Sequence, residues 1–241
     1  ASPGGPVIVR WGGVPGTVHH VFRRGGFLTG PAPDGRDARD TALGFLTRHR
    51  DLLGLSLESV RALEVRGVVT DPGTDAAHVV VRQRVEGIPL YQGILKVNLD
   101  RDGRVLSVAG NTALETILPG ARVLDAEAAL VLAARSVRVE LDAAPARAPA
   151  RPGDAKDEIR FEQGPFESAP WAHPRWMPRA AGASGAGLAP AWVVVVDPLG
   201  DEGWYQVVVD ARTGEILARH DLVERAATQG LVFREDPGQG P

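Results

Sequence analysis

Apolar and polar residues alternate in two blocks of the chain, and each block follows a stretch where apolar residues recur at helical spacing. In the first block, Ala77, Val79, Val81 and Val85 alternate against His78, Arg82, Arg84 and Glu86. Across the short link 86–89, Tyr91, Leu95, Val97 and Leu99 alternate against Gln92, Lys96 and Asn98. A period of two over such lengths predicts antiparallel strands with one buried face. Asp100-Arg101-Asp102-Gly103 reads as the next turn, glycine taking the positive φ, with a return strand over 104–109. Ahead of this meander, Ala38, Ala42, Phe45, Leu46, His49 and Leu53 share one helical face. They predict an amphipathic helix over 37–50 that stops near Gly54, with a further helical turn over 56–62. At the N-terminal end, Val7, Val9 and Trp11, then Val18, His20 and Phe22, alternate around glycine and proline pairs and predict two short edge strands.

The pattern then begins again. Asp125 is placed to cap a helix over 126–137, with Glu127 in its first turn. Strands are predicted over 158–161, 191–196, 204–210 and 215–219, the last two joined by Ala211-Arg212-Thr213-Gly214. The run 102–106 (DGRVL) is echoed by 213–217 (TGEIL). The repeated order of helix and then strands predicts an α+β chain of two related units, each an antiparallel sheet packed on one helix. Residues 143–156, rich in alanine, proline and arginine, read as an exposed linker, and 179–188 as a mobile Gly/Ala/Ser tract. Trp171 and Trp176 read as a loop packed onto the core.

Composition narrows the function classes. Hydrophobic residues make up 44% and charged residues 24%, enough to bury real cores, while no apolar run approaches the roughly 20 residues of a membrane helix. A net charge of −3, from 27 basic and 30 acidic residues, lacks the basic field of a nucleic-acid binder. There is no cysteine, which removes disulfides, thiol nucleophiles and thiolate metal sites. A chain that begins at Ala1 without a targeting segment is expected to have lost a signal peptide.

Catalytic patterns are missing. A zinc peptidase needs His-Glu-x-x-His on one helical face, and the six histidines (His19, His20, His49, His78, His173 and His220) do not supply it. Ser184, in Gly182-Ala183-Ser184-Gly185-Ala186, lacks the last glycine of a nucleophile elbow. No phosphate-cradling glycine loop follows a strand. The sequence therefore predicts no catalytic, cofactor-binding or metal-binding residues, and an enzyme with an unrecognised site is left without a nucleophile, base or stabiliser.

Two stretches carry a family resemblance. Residues 78–93 (HVVVRQRVEGIPLYQG), continuing through 94–105 (ILKVNLDRDGRV), follow a helix that ends 45–56 (FLTRHRDLLGLS). This resembles the fungalysin/thermolysin propeptide module. Residues 189–192 (APAW) and 207–217 (VVVDARTGEIL) resemble the PepSY-type unit that follows it. The resemblance implies two tandem cystatin-like units over 1–120 and 121–222, with 223–241 linking towards a catalytic domain that this chain lacks. It implies a secreted propeptide that inhibits a zinc metallopeptidase and assists its folding, in cis or as a cleaved complex. The zinc would belong to that catalytic domain, and neither nucleic acid nor membrane is an expected partner. The partner-binding residues it points to are His220, Asp221, Phe233, Arg234, Glu235 and Asp236, on an extended C-terminal stretch that could add as a strand to the peptidase cleft. A freestanding PepSY-like binding or regulatory module with another partner is the alternative.

Overall fold

A computed structural model describes residues 4–12, 17–33, 37–113, 115–182, 185–200 and 203–223. Strands β1 (Val7–Trp11) and β2 (Val18–Arg23) precede α1 (Ala38–Arg48) and the short α2 (Leu57–Arg61). The meander β3 (Glu64–Thr70), β4 (Ala77–Val85), β5 (Ile88–Leu99) and β6 (Val105–Gly110) follows. Then come α3 (Ala126–Ser136), β7 (Ile159–Arg160), β8 (Trp171–Gly182), β9 (Gly185–Val196), β10 (Tyr205–Asp210) and β11 (Ile216–Asp221).

Each helix begins where a short polar side chain accepts one of the backbone N–H groups that its first turn leaves without a partner. Asp37 accepts from Asp40 N–H at 2.7 Å, Ser56 from Ser59 N–H at 3.0 Å, and Asp125 from Ala128 N–H at 2.8 Å. The first sheet runs β1-β2-β6-β5-β4-β3 with every pair antiparallel. On its inner face, Ala42, Phe45, Leu46 and Val60 of α1 and α2 pack against Val79, Val81, Leu95 and Val97. The second sheet runs β8-β9-β10-β11, with β7 on the outer side of β8. There Ala129, Leu130 and Ala133 of α3 pack against Val194, Val207, Val209 and Phe161. The chain is thus mainly sheet with a few helices, an α+β architecture with a core under each sheet. The further helical turn expected over 56–62 is α2, which packs with α1 on the first sheet. The layout departs from two separate units because the sheets are joined: β5 also meets β8 through Leu90 and Trp176.

Local departures have identifiable causes. In β2 the buried residues are Val18 and Val21, not an alternating Val18, His20 and Phe22. Trp11 pairs with Val18 and Arg10 with His20, so His19 is an extra residue in a β-bulge that reverses the parity of the strand. β2 is also interior, flanked by β1 and β6. Residues 179–182 and 185–188, expected to lie in a Gly/Ala/Ser link, belong to strands β8 and β9: Arg179 pairs with Gly187 and Gly182 with Gly185. Their glycine content answers a close approach, since a Cβ on Gly187 would strike the Thr116 carbonyl oxygen, and Leu118 N–H donates to Leu188 O at 2.9 Å. Trp171 and Trp176 lie on β8 rather than on a loop. Proline cannot donate to a ladder and is tolerated on a strand where one side is unpaired; among the described residues β8 has an outer neighbour only at Trp171, Ala172 and Trp176, so Pro174 and Pro178 sit on open edge. Residues 143–156 are strapped down rather than free: Ala148 N–H donates to Arg160 O at 3.0 Å and Glu162 N–H to Ala146 O at 2.7 Å.

The echoed hairpins do share a construction. Asp100 Oδ1 accepts from Asp102 N–H at 3.1 Å, Asp210 Oδ1 accepts from Arg212 N–H at 2.8 Å, and each loop closes on a positive-φ glycine, Gly103 or Gly214. A harder constraint lies at the end of β6, where Gly110 has φ +135° and a Cβ would fall onto the Ile94 carbonyl oxygen. Gly110→Ala should cost more than about 1 kcal/mol in urea unfolding. Gly67→Ala, at ordinary φ with nothing within 4 Å, should change stability by less than about 0.5 kcal/mol. Equal midpoints for the two variants would refute this assignment.

Candidate functional site

The β4–β5 hairpin turns on Glu86 (φ +49°) and Gly87 (φ +76°), a two-residue turn with both central φ values positive. Val85 pairs with Ile88 and Arg84 with Pro89, but Arg82 pairs with Ile94. Residues 90–93 of β5 therefore stand opposite Gln83 alone. The bulge holds Gln92 at φ +54° and brings Gly93 so near Leu90 that a Cβ would lie 2.5 Å from the Leu90 Cβ. Gln83, 1% exposed, fills the gap in the ladder: its Nε2 donates to Ala113 O at 3.0 Å and its Oε1 accepts from Ala113 N–H at 3.0 Å. The bulge frees Leu90 to pair with Trp176 of β8, whose indole N–H donates to Val85 O at 2.9 Å. Val85, Leu90, Ala113, Trp176 and Leu188 bury one another along this seam.

Beside the seam lies a charged cleft of about 460 Å³. One wall is Glu64, Arg66, Arg82 and Arg84 of the first sheet, and the other is the loop 153–157 leading into β7. Behind that loop, His173 of β8 is buried, with Nδ1 3.7 Å from Asp157 Oδ1 and Nε2 3.6 Å from Glu158 Oε2. Both separations exceed a hydrogen bond. Burial, then repulsion by Arg175, lowers the His173 pKa to about 4, against the pull of Asp157. Arg175 holds Asp157 at 2.6 Å, and Arg160 bridges Asp154 at 2.8 Å and Glu158 at 2.7 Å. Burial raises the pKa of Glu158, helped by Asp154 and Asp157 and opposed by Arg160.

His220 and Asp221 close β11, the outermost strand of the second sheet, and both are exposed. His220 pairs with Gln206 and Asp221 with Tyr205, and Asp221 Oδ1 accepts from Val223 N–H at 3.0 Å. Strands β9 and β10 separate them from β8 and the charged cleft. Phe233, Arg234, Glu235 and Asp236 lie outside the described residues. Among the described residues no group of three His, Cys, Asp or Glu is placed to hold a metal ion. No helix among them is long and apolar enough to cross a membrane. Sequence reasoning did not find the cleft, because its walls lie far apart in the chain and meet only through the seam.

Comparison with known proteins places this geometry. Residues 62–112 match the Fungalysin/Thermolysin Propeptide Motif. That span covers the whole meander, with Gln83, the Glu86-Gly87 turn and the bulge at its centre. The chain therefore carries a propeptide motif of the fungalysin/thermolysin kind. It resembles, in particular, Extracellular metalloproteinase 4 of Trichophyton tonsurans and of Trichophyton equinum, at 31% identity over 175 residues, covering 68% of this chain and 26% of each relative. It thus spans about a quarter of the length of the curated relatives it matches. Among solved structures, the Bacillus megaterium YpeB C-terminal domain is similar at 14% identity and TM-score 0.35, covering 86% of this chain and 72% of that one. An uncharacterized protein from Eubacterium rectale is similar at 14% identity and TM-score 0.39, covering 83% and 68%.

The buried, neutral His173 makes stability depend on pH. Its pKa is about 4 in the folded chain, against an ordinary 6.5, so between these values the unfolded chain binds more protons. Its stabilising contribution is complete above pH 6.5 and is lost as pH falls towards 4, by up to on the order of 3 kcal/mol. Glu158, with its raised pKa, acts with the opposite sign in the acid range. Urea unfolding of the native chain and of His173→Gln across this pH window should therefore show a steeper acid loss in the native chain. Parallel curves would disprove the role given to His173.

Proposed function

We propose that this chain is the propeptide portion of a secreted fungalysin-type zinc metallopeptidase, acting on the catalytic domain as intramolecular inhibitor and folding assistant. The observation that carries the reading is the propeptide motif over 62–112 within a chain that aligns with only a quarter of an extracellular metalloproteinase. In this reading the two sheet-and-helix layers are cystatin-like units over 1–120 and 121–222, and 223–241 is the link to the peptidase. The catalytic domain is the partner, in cis or as a cleaved complex, and the zinc is that domain's own.

The physical basis is a rigid surface formed before its partner. A protease domain with a high folding barrier is helped by a preformed surface that binds its folding transition state, and the same contact blocks the cleft afterwards. Among the described residues β11 pairs only with β10, so its outer side is available for an added strand. His220 and Asp221 end that edge, and the chain runs on through Phe233, Arg234, Glu235 and Asp236, the segment we assign to the peptidase cleft.

The purified chain added in trans should inhibit the cognate catalytic domain saturably and raise the yield of active enzyme on refolding. Glu235→Gln with Asp236→Asn should weaken inhibition about tenfold, roughly 1.4 kcal/mol, if those carboxylates contact the partner. A chain that neither inhibits, nor forms a complex, nor improves refolding would sink the proposal.

A further inference from the structure

The charged cleft at the seam has an unbalanced complement of partners. Its acids are committed. Glu64 Oε1 meets Arg66 Nη1 at 2.8 Å, and its Oε2 meets Arg84 Nη1 at 3.0 Å. Asp157 Oδ2 meets Arg175 at 2.6 Å, and Asp154 Oδ2 takes both Arg160 Nε at 2.8 Å and Arg151 N–H at 2.6 Å. Two cations on the cleft walls, Arg82 and Lys156, have no hydrogen bond and no ion pair among the described residues. Arg82 is half-buried on β4, and Lys156 is exposed on the facing loop. Burial, then repulsion by Arg66, disfavours the charged Arg82 guanidinium, and attraction to Glu64 and Asp157 only partly offsets this. An anion between the two cations would relieve that cost with charge-assisted hydrogen bonds.

We infer that this cleft binds a carboxylate, the aspartate or glutamate side chain of an acidic segment in a partner polypeptide, gripped by Arg82 from the first sheet and Lys156 from the loop facing it. The chemistry selects a monoanion. Glu64, Asp154 and Asp157 share the walls and would repel a phosphate dianion more strongly than a carboxylate. The cleft, about 460 Å³ and open to solvent, admits a side chain presented on a peptide. Because one cation lies on β4 and the other on the loop 153–157, the bound carboxylate would clamp that loop onto the outer strands of the first sheet and stiffen the seam. The inference stands on the cleft alone and does not require the propeptide reading.

The test is calorimetric titration of the full chain at low salt with an acetylated hexaglutamate peptide, alongside hexaglutamine and inorganic phosphate. Hexaglutamate should bind and the other two should bind at least about tenfold more weakly. Arg82→Gln and Lys156→Gln should each weaken hexaglutamate about tenfold, while Arg135→Gln, on the exposed face of α3, should not. Lys156 is exposed and has no hydrogen bond or ion pair among the described residues, so Lys156→Gln decides the matter even if Arg82→Gln unfolds. Absence of hexaglutamate binding, phosphate binding of equal strength, or binding that Lys156→Gln leaves intact would overturn the assignment.

Discussion

Where β5 leaves its ladder with β4, the primary amide of Gln83 takes the place of a strand. Without it, the N–H and C=O of Ala113 would be buried with no partner, at a cost of about 1–3 kcal/mol for each group. With it, four residues of β5 can swing outward, and Leu90 reaches β8 while Trp176 caps the Val85 carbonyl. Nearly everything that distinguishes this chain from two separate sheet-and-helix layers follows from that exchange. The core of the first sheet and the core of the second are bridged by the β5–β8 pairing and the small apolar cluster around it.

The seam also decides the electrostatics. It sets a strand wall rich in arginine opposite a loop rich in aspartate, and most of the charges pair within their own wall. His173, beneath the loop, is kept neutral by burial although two carboxylates lie within 4 Å. Desolvation outweighs attraction here because neither acid is close enough to form a hydrogen bond, and each already has an arginine. Uncommitted charge is left on each wall, at Arg82 of the strand and at Lys156 of the loop.

A rigid sheet with an open edge suits a docking role and carries a hazard as well. Exposed edge strands invite pairing with other chains. At β11 the outward-reaching groups are largely polar, with Arg219, His220 and Asp221 all exposed, which discourages indiscriminate pairing while leaving the backbone edge open to a specific strand. The motif that relates this chain to metalloproteinase propeptides lies in the other sheet. Motif and open edge are thus held in fixed relation by the same seam.

Much of this was readable along the chain. The unbroken alternation of β4, the Asp125 cap, the glycine turns and the restart of the pattern near Asp125 depend on local sterics and on burial of one face, and these act between residues close in sequence. The absence of catalytic motifs was equally plain, as was the resemblance centred on residues 78–105. The bulge in β2, the strand identity of the proline-bearing β8 and the docking of 143–156 were not, because each depends on a neighbour supplied from elsewhere in the fold. Gln83 is the sharpest case. In sequence it is one polar residue on a strand, and only tertiary structure brings it to Ala113, 30 residues away, where its amide becomes the missing partner. The cleft is the same lesson in charge: Arg82 and Lys156 are 74 residues apart (156 − 82), and nothing local to either says that they share a wall-to-wall gap.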